Sequence, residues 1–224
     1  MTGDNMISLR DKESELLVEV GARLAGFGFS RKRRGQTFYK TTELGRLAFH
    51  LSLLEAEKDF DVTADVAVRF NAVEDLVNET NKLLSKAEKR NTFTLGCELG
   101  NLRDGHQRVW EDITPNTDVE PIADSIVCMF SEVGVPFLVK YSSMQAALSV
   151  LMADDKEASL HCPIPAERAR RAVALASLLC GREETERLIA DKRDRLRTLE
   201  PRGVEYFEEF ARWLVSTRLA SVIT

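Results

Sequence analysis

The sequence is short of the residues and runs that mark several classes of protein. It has four cysteines, three histidines and two tryptophans among 224 residues, and no stretch approaches the run of about 18 apolar residues that spans a bilayer. The first 15 residues, MTGDNMISLRDKESE, lack the apolar core of a secretory signal. We therefore expect no membrane span and no export. We also expect four reduced thiols in a cytoplasmic protein, with Cys97, Cys128 and Cys180 as small buried hydrophobes beside Cys162.

Three common site signatures are missing as well. His50, His106 and His161 lack the paired spacing that structural zinc sites use. The glycines of GARLAGFG follow a predicted helix, whereas a phosphate-binding loop follows a strand and precedes a helix. No G-x-S-x-G elbow is present, and the acid pairs at 154–155, 183–184 and 208–209 diverge on a helix. We expect no metal, no cofactor and no catalytic residue, although distant carboxylates could still meet through the fold.

The charge of the chain is acidic and unevenly distributed. The net charge is −5, and the decapeptide RKRRGQTFYK (31–40) contributes +5, so the remaining residues carry −5 − 5 = −10. An acidic protein repels phosphate backbones overall. This balance suits solubility or a basic protein partner better than it suits nucleic-acid binding.

Strict period-two alternation predicts strands in the first half of the chain. Apolar residues alternate with polar or small ones in RLAFHLSLLEA and in FDVTADVAVRF, and the short link EKD predicts a hairpin between them. The stretch around Phe38 and Tyr39 forms a further strand, joined through TTELG, with Phe38 opposite Phe49 and Tyr39 opposite Ala48. The three strands predict an antiparallel meander.

Helices and two more strands complete the predicted order α-β-β-β-α-β-β-α. Leu16, Leu17, Val20 and Leu24 recur at helical spacing after a Ser8–Asp11 capping pattern. Asn71 and Asp118 are predicted N-caps, TFTLGCEL and HQRVWEDI are predicted strands, and a helix begins at Ser142 or Ser143. The fold class is α+β, with an antiparallel sheet and helices packed on one face. Residues 1–135 form the sheet domain, and residues 136–224 form a helical region packed on it or continuous with it.

The stretch RKRRGQTFYK has two interpretations. Basic residues beside aromatics can bind nucleic acid, and Arg31–Arg34 would then be the binding residues. Alternatively, the predicted register carries Lys32 toward Glu55 and Arg31 toward Ala56, beside the acids of EAEKDFD. Cross-strand opposite charges of this kind are common in sheets. We favour the second interpretation, in which the stretch is one half of a charged strand end.

The open face of the predicted sheet is the candidate partner-binding surface. A tryptophan among short polar residues on a rigid sheet is typical of protein-binding surfaces. The alternative is that the C-terminal helices cover this face and that Trp110 anchors them. The candidate partner-binding residues are His50, Thr63, Asp65, Arg69, Arg108 and Trp110.

The order of an N-terminal helix, GFGFSRKRRGQTFYK and GRLAFHLSLLEAEKDFDVTADVAV resembles the bacterial domain of unknown function family 4304 over about residues 10–135. The resemblance implies a soluble α+β protein. It also implies kinship with small domains among the antidotes that are encoded beside secreted toxins. That family has no assigned catalytic residues to carry over.

These observations lead to three hypotheses of function. The first is a non-catalytic protein-interaction module, most concretely a bacterial cytoplasmic immunity protein that binds and occludes a toxin such as a basic toxin domain. The second is an enzyme with an unrecognised active site, which a deep pocket holding His50 or His161 beside a carboxylate would favour. The third is a nucleic-acid-binding module that uses Arg31–Arg34.

Overall fold

The computed structural model describes residues 8–31 and 35–219 of the chain. Within these residues a single antiparallel sheet runs in the order β1-β2-β3-β4-β5, and a sixth strand, β6, pairs with the start of β4. The strands are β1 (Ser30–Arg31), β2 (Thr37–Thr41), β3 (Gly45–Glu55), β4 (Phe60–Phe70), β5 (Leu95–Glu98) and β6 (Glu111–Ile113).

The predicted meander and its register are confirmed. Phe38 lies opposite Phe49 and Tyr39 lies opposite Ala48 in the β2–β3 pair. Phe38 and Phe49 are buried, while Tyr39 is partly exposed. The register holds because a one-residue slip of β2 would turn Phe38 to the polar face.

The predicted course of the basic stretch is wrong at Arg31. The chain does not continue along β3 but folds back, so that Arg31 pairs with Phe38 and Ser30 pairs with Tyr39 in an antiparallel hairpin. The Arg31 guanidinium lies over the Phe38 ring, 5.8 Å from its centre, and donates a hydrogen bond to the Gly35 carbonyl. Arg31 therefore does not approach Ala56. Lys32, Arg33 and Arg34 lie outside the described residues.

Helices make up most of the rest of the chain. They are α1 (Leu9–Leu24), α2 (Asn71–Glu79), α3 (Lys86–Lys89), α4 (Val119–Met129), α5 (Val135–Tyr141), α6 (Met144–Ala153), α7 (Lys156–His161), α8 (Pro165–Leu179), α9 (Arg182–Leu199) and α10 (Val204–Leu214). The α+β class with a helical C-terminal region is therefore confirmed.

Most of the predicted helix starts are confirmed by their caps. Ser8 and Asp11 form a reciprocal capping box at α1, Asp118 caps α4, and Ser143 caps α6. Asn71 is not a cap, because Phe70 holds that position and the Asn71 carboxamide instead accepts a hydrogen bond from Arg69.

The segment VPFLVKY is helical in α5, because it continues a helix that begins at Val119 and tertiary packing outweighs its strand propensity. Leu83 lies beyond the end of α2 and is 86% exposed. One further prediction is wrong. Cys128 is exposed on α4, whereas Cys97 and Cys162 are buried, Cys180 is partly buried and all four thiols are free.

The chain divides into two compact units. The first comprises Met1–Thr42, Arg46–Ala67 and Cys97–Val139, and the second comprises Glu43–Gly45, Val68–Gly96 and Lys140–Thr224, as far as the structure describes these ranges. Residues 68–96 thus group with the C-terminal helices, whereas the sequence analysis placed them with the sheet domain.

The first unit has its core between one sheet face and helices α1 and α4. The Phe130 ring meets Phe49 of β3 edge-to-face at 5.2 Å, and it also meets Phe27 and Phe29. Gly21 of α1 lies against the Phe38 ring of β2. The apolar face of the alternating strands is therefore covered, as a half-buried sheet requires.

One helical segment is long enough to span a membrane by length and composition alone. It runs through α4, a π turn and α5, from Val119 to Tyr141. Ala123, Ile126 and Phe130 are buried in this segment, and α4 packs on α1. One side of this segment therefore packs in the core of the first unit.

The second unit is built around helix α8, which contacts α2, α6, α9 and α10. Ala172, Val173 and Leu175 are fully buried on α8. Phe207 and Phe210 of α10 are fully buried as well, as their helical spacing predicts.

Candidate protein-interaction site

A buried carboxylate organises the longest exposed connection of the first unit. Glu98 ends β5, and only 6% of the residue is exposed. It accepts hydrogen bonds from the Gly100 and Asn101 amides at 2.9 and 3.0 Å and from the Val109 amide at 3.3 Å. One side chain therefore holds both ends of residues 99–110, which we call the Glu98 loop.

Thr63 fixes the carboxylate itself. Its buried hydroxyl on β4 donates to Glu98 Oε1 at 2.9 Å. Glu98 forms no ion pair with any residue that the structure describes, so four neutral donors satisfy it. Hydrogen bonds to a carboxylate are about twice as strong as neutral ones, so the four donors tie the loop to this end of the sheet.

The first and last residues of the Glu98 loop approach each other closely. A β-carbon at residue 100 would overlap the Gln107 carbonyl oxygen and the Val109 amide, so only glycine fits there. Gly105 and His106 both have positive φ, at 95° and 49°, and His106 Nδ1 lies 2.7 Å from the Asn101 carbonyl oxygen. The loop is therefore a compact turn with its own internal hydrogen bonds.

The tip of the Glu98 loop is open to solvent. Residues 103–108 are exposed, and Trp110 at the end of the loop is 40% exposed. Arg108 and Trp110, two of the candidate partner-binding residues, therefore lie on the loop surface. Thr63 lies beneath the loop, and because it is buried it positions Glu98 and cannot touch a partner.

The other candidate residues lie apart from the loop. His50 and Asp65 are half-buried on the polar sheet face, where His50 pairs with Thr37 at 2.9 Å and Ser52 donates to Asp65 at 2.8 Å. Burial lowers the pKa of His50, against the opposing charge of Asp65, so its imidazole is neutral at pH 7.

Arg69 is a structural residue of the second unit and not a surface contact. It is 5% exposed and donates to the Thr92 and Lys89 carbonyl oxygens, with Asp75 3.5 Å away. The sequence analysis assigned Arg69 to the open face because it alternates with Val68 and Phe70. The assignment is wrong because the Arg69 guanidinium is buried against residues 89–92 and hydrogen-bonds to their carbonyl oxygens.

A cluster of titratable groups in the second unit bears on the enzyme hypothesis. Glu157 Oε1 lies 2.7 Å from the Tyr141 hydroxyl, 2.9 Å from Lys140 Nζ and 3.6 Å from His161 Nε2. Hydrogen bonds from Lys140 and Tyr141 lower the pKa of Glu157 to about 2. Burial lowers the pKa of His161 and raises that of Tyr141 to about 12. A histidine thus does lie beside a carboxylate.

The sequence analysis missed the buried charges of helix α8. Arg168, Arg170 and Arg171 are all buried, and so is Lys192 of α9. Asp154 accepts from Arg168 at 2.8 Å and from Lys192 at 2.5 Å, and Glu74 accepts from Arg171 at 3.1 Å. Each cation has a carboxylate partner (Arg170 has Glu167 at 3.1 Å), so this network supports the helices. In the sequence, the three arginines of AERARR stand in an alanine-rich segment. This pattern could have indicated that their charges are buried.

The described residues bear on a metal site directly and on the Arg31–Arg34 cluster only through Arg31. Within residues 8–31 and 35–219, no group of three or more His, Cys, Asp or Glu residues is placed to hold a metal ion. Of the Arg31–Arg34 cluster, the described residue is Arg31, which packs on Phe38. On α9, Asp191 and Asp194 pair with Arg195 and Arg197, so these cations are salt-bridged within their own helix.

The chain matches none of the protein-family models, curated proteins or solved structures with which we compared it. The resemblance to domain of unknown function family 4304 therefore stays a prediction.

Proposed function

We propose that this protein is a non-catalytic interaction module, most concretely a bacterial cytoplasmic immunity protein that binds and occludes a toxin. The observation that carries the proposal is the Glu98 loop. It presents Arg108 and Trp110 to solvent from a backbone that a buried carboxylate holds at both ends.

Two physical arguments support a binding role for such a loop. A loop that is already ordered loses little conformational entropy when it binds, so more of the contact energy appears as affinity. Tryptophan and arginine are also the residues that most often dominate the binding energy of interfaces. The acidic net charge of −5 adds long-range attraction for a basic partner.

Co-expression with the product of a neighbouring gene tests the proposal. We expect the two proteins to co-purify and the full chain to restore growth to cells that produce the toxin. A double variant, Arg108→Ala with Trp110→Ala, should lose this protection. Its matched control is Lys82→Ala with Leu83→Ala, which removes an exposed cation and a large exposed apolar residue from the second unit.

Absence of a complex and of protection by the wild-type chain would contradict the proposal. Equal protection by the loop variant and its control would contradict the role of the Glu98 loop. Circular dichroism of each variant verifies that the fold is retained.

The enzyme hypothesis has one favourable observation, the His161–Glu157–Tyr141 cluster. Under this second candidate function, His161 would act as a base at neutral pH, because its pKa is lowered and its imidazole is uncharged. Native mass spectrometry of the purified chain tests it. A bound small molecule that His161→Ala releases would favour an enzyme, and a mass equal to that of the bare chain would count against it.

A further inference from the structure

A groove separates the start of α1 from the end of the β3–β4 hairpin in the first unit. Its volume is about 60 Å³, well below the ~300–1,000 Å³ of small-molecule sites, so it is a shallow groove on the scale of one side chain. We call it the hairpin groove; it is lined by Leu9, Arg10, Glu13, Leu53, Glu55, Ala56, Asp59 and Phe60.

The lining combines an apolar floor with acidic walls. Leu9, Leu53 and Phe60 supply aliphatic and aromatic carbon. Glu13, Glu55 and Asp59 supply three carboxylates against one cation, Arg10, so the groove carries two excess negative charges.

The described residues do not neutralise these acids. Among the residues that the structure describes, the side chains of Glu55 and Asp59 have no hydrogen bond or ion pair. Glu13 accepts one weak hydrogen bond, 3.3 Å from Gln36 Nε2. Asp124, by contrast, is paired with Arg23 at 2.6 Å. With respect to the described residues, the groove carboxylates are therefore free to receive a cation.

We propose that the hairpin groove receives an arginine or lysine side chain of a basic partner protein. Such a side chain has an aliphatic stem that packs on the apolar floor and a cationic head that reaches the carboxylates. The inference rests on the proposed function, because it names the chemistry of the partner. It adds a second contact surface to the Glu98 loop.

A small probe tests the groove without the partner. We choose n-butylguanidinium, which carries the stem and the head of arginine, and titrate it into the full ¹⁵N-labelled chain. We expect saturable shifts of the Leu9, Leu53 and Ala56 amide signals. Guanidinium alone, which lacks the stem, should bind several-fold more weakly. Shifts that do not saturate, or that equal those from guanidinium, would overturn the proposal.

Charge-neutral variants separate the groove from general acidity. Glu55→Gln with Asp59→Asn should weaken probe binding about tenfold, the effect of losing two surface ion pairs. The control, Glu79→Gln with Glu205→Gln, removes the same charge from exposed acids of the second unit and should leave binding unchanged. Equal weakening by both pairs would overturn the proposal.

The chain's own cations are a competing occupant. If neutralising Lys32, Arg33 and Arg34 raises the affinity for the probe tenfold, the groove binds these cations of the chain itself. That result would overturn the assignment of the groove to a partner.

The partner measurement separates the two failures. A toxin that binds Glu55→Gln/Asp59→Asn as tightly as wild type would overturn the groove and leave the proposed function standing. Failure of any toxin to co-purify would overturn the proposed function, whatever the probe does.

Discussion

At the residue scale, Glu98 is the side chain on which the candidate site depends. A buried carboxylate usually needs a cation, but this one is satisfied by three backbone amides and the Thr63 hydroxyl. Its position before Gly100 and Asn101 in CELGN is typical of a residue that caps a turn. The sequence analysis named Cys97 as a buried residue of the predicted strand and overlooked the residue that follows it.

Replacing Glu98 by alanine tests its role in the loop. The change leaves buried amide groups without acceptors, so we expect a loss of about 2–4 kcal/mol in the free energy of unfolding. Thr63→Val is the matched control, because it removes one hydrogen bond to Glu98 and should cost about 1 kcal/mol. Urea denaturation measures both values, and hydrogen exchange follows the Gly100, Asn101 and Val109 amides. Unchanged exchange of those amides in the alanine variant would contradict the account.

His161 gives stability a dependence on pH. Its pKa is lowered from 6.5 by burial, while Glu157 and Asp155 oppose the shift and Lys140 adds to it. Below pH 6.5 the unfolded chain binds a proton that the folded chain does not, so stability falls as the pH falls. The pKa of Glu157 is lowered from 4.5 to about 2. Protonation of this carboxylate therefore removes further folding stability as the pH falls below 4.5.

The variant His161→Gln separates these two effects. The variant should lose the fall in stability that begins below pH 6.5 and retain the fall that begins below pH 4.5. We therefore expect the stability difference between wild type and variant to shrink between pH 7.5 and pH 5, measured by thermal unfolding. A difference that stays constant over this range would show that the histidine does not titrate as described.

At the scale of elements, the β4–β6 pair holds two like charges opposite each other. Asp61 of β4 lies directly opposite Asp112 of β6. Like charges in this position destabilise a strand pair, and neither aspartate forms an ion pair with a described residue. The strands meet nonetheless because Val62, Phe60 and Ile113 are buried on the same elements.

Neutralising one of these charges should stabilise the sheet. We expect Asp112→Asn to raise the free energy of unfolding by about 0.2–1 kcal/mol. Asp104→Asn on the exposed Glu98 loop is the control, and its effect should be close to zero. Chemical denaturation at low salt measures both variants, and destabilisation by Asp112→Asn would contradict the like-charge explanation.

The elements that sequence periodicity predicted are those with several alternating residues. The long strands β3 and β4 and the register of Phe38 with Phe49 follow from period two. The two-residue strand β1 has no period to detect. The predicted strand HQRVWEDI shortens to Glu111–Ile113, because Glu98 holds the Val109 amide away from the sheet ladder.

At the scale of the whole molecule, each of the two units is built from three separate stretches of the chain. Residues 68–96 belong with the C-terminal helices through contacts distant in sequence, such as Arg171 with Glu74 at 3.1 Å. Local patterns predict neither such pairs nor the grouping that they create. They do identify Arg108 and Trp110 as exposed, because the turn NLRDG and the short strand that follows are local features.

The central claim is that the Glu98 loop binds a protein partner through Trp110. The most direct test is the dissociation constant of the complex between the full chain and the product of the neighbouring toxin gene, measured by calorimetry. We predict that Trp110→Ala raises this constant about 30-fold, as loss of a hot-spot residue does, whereas Leu83→Ala leaves it unchanged. Equal constants for wild type and both variants would contradict the account.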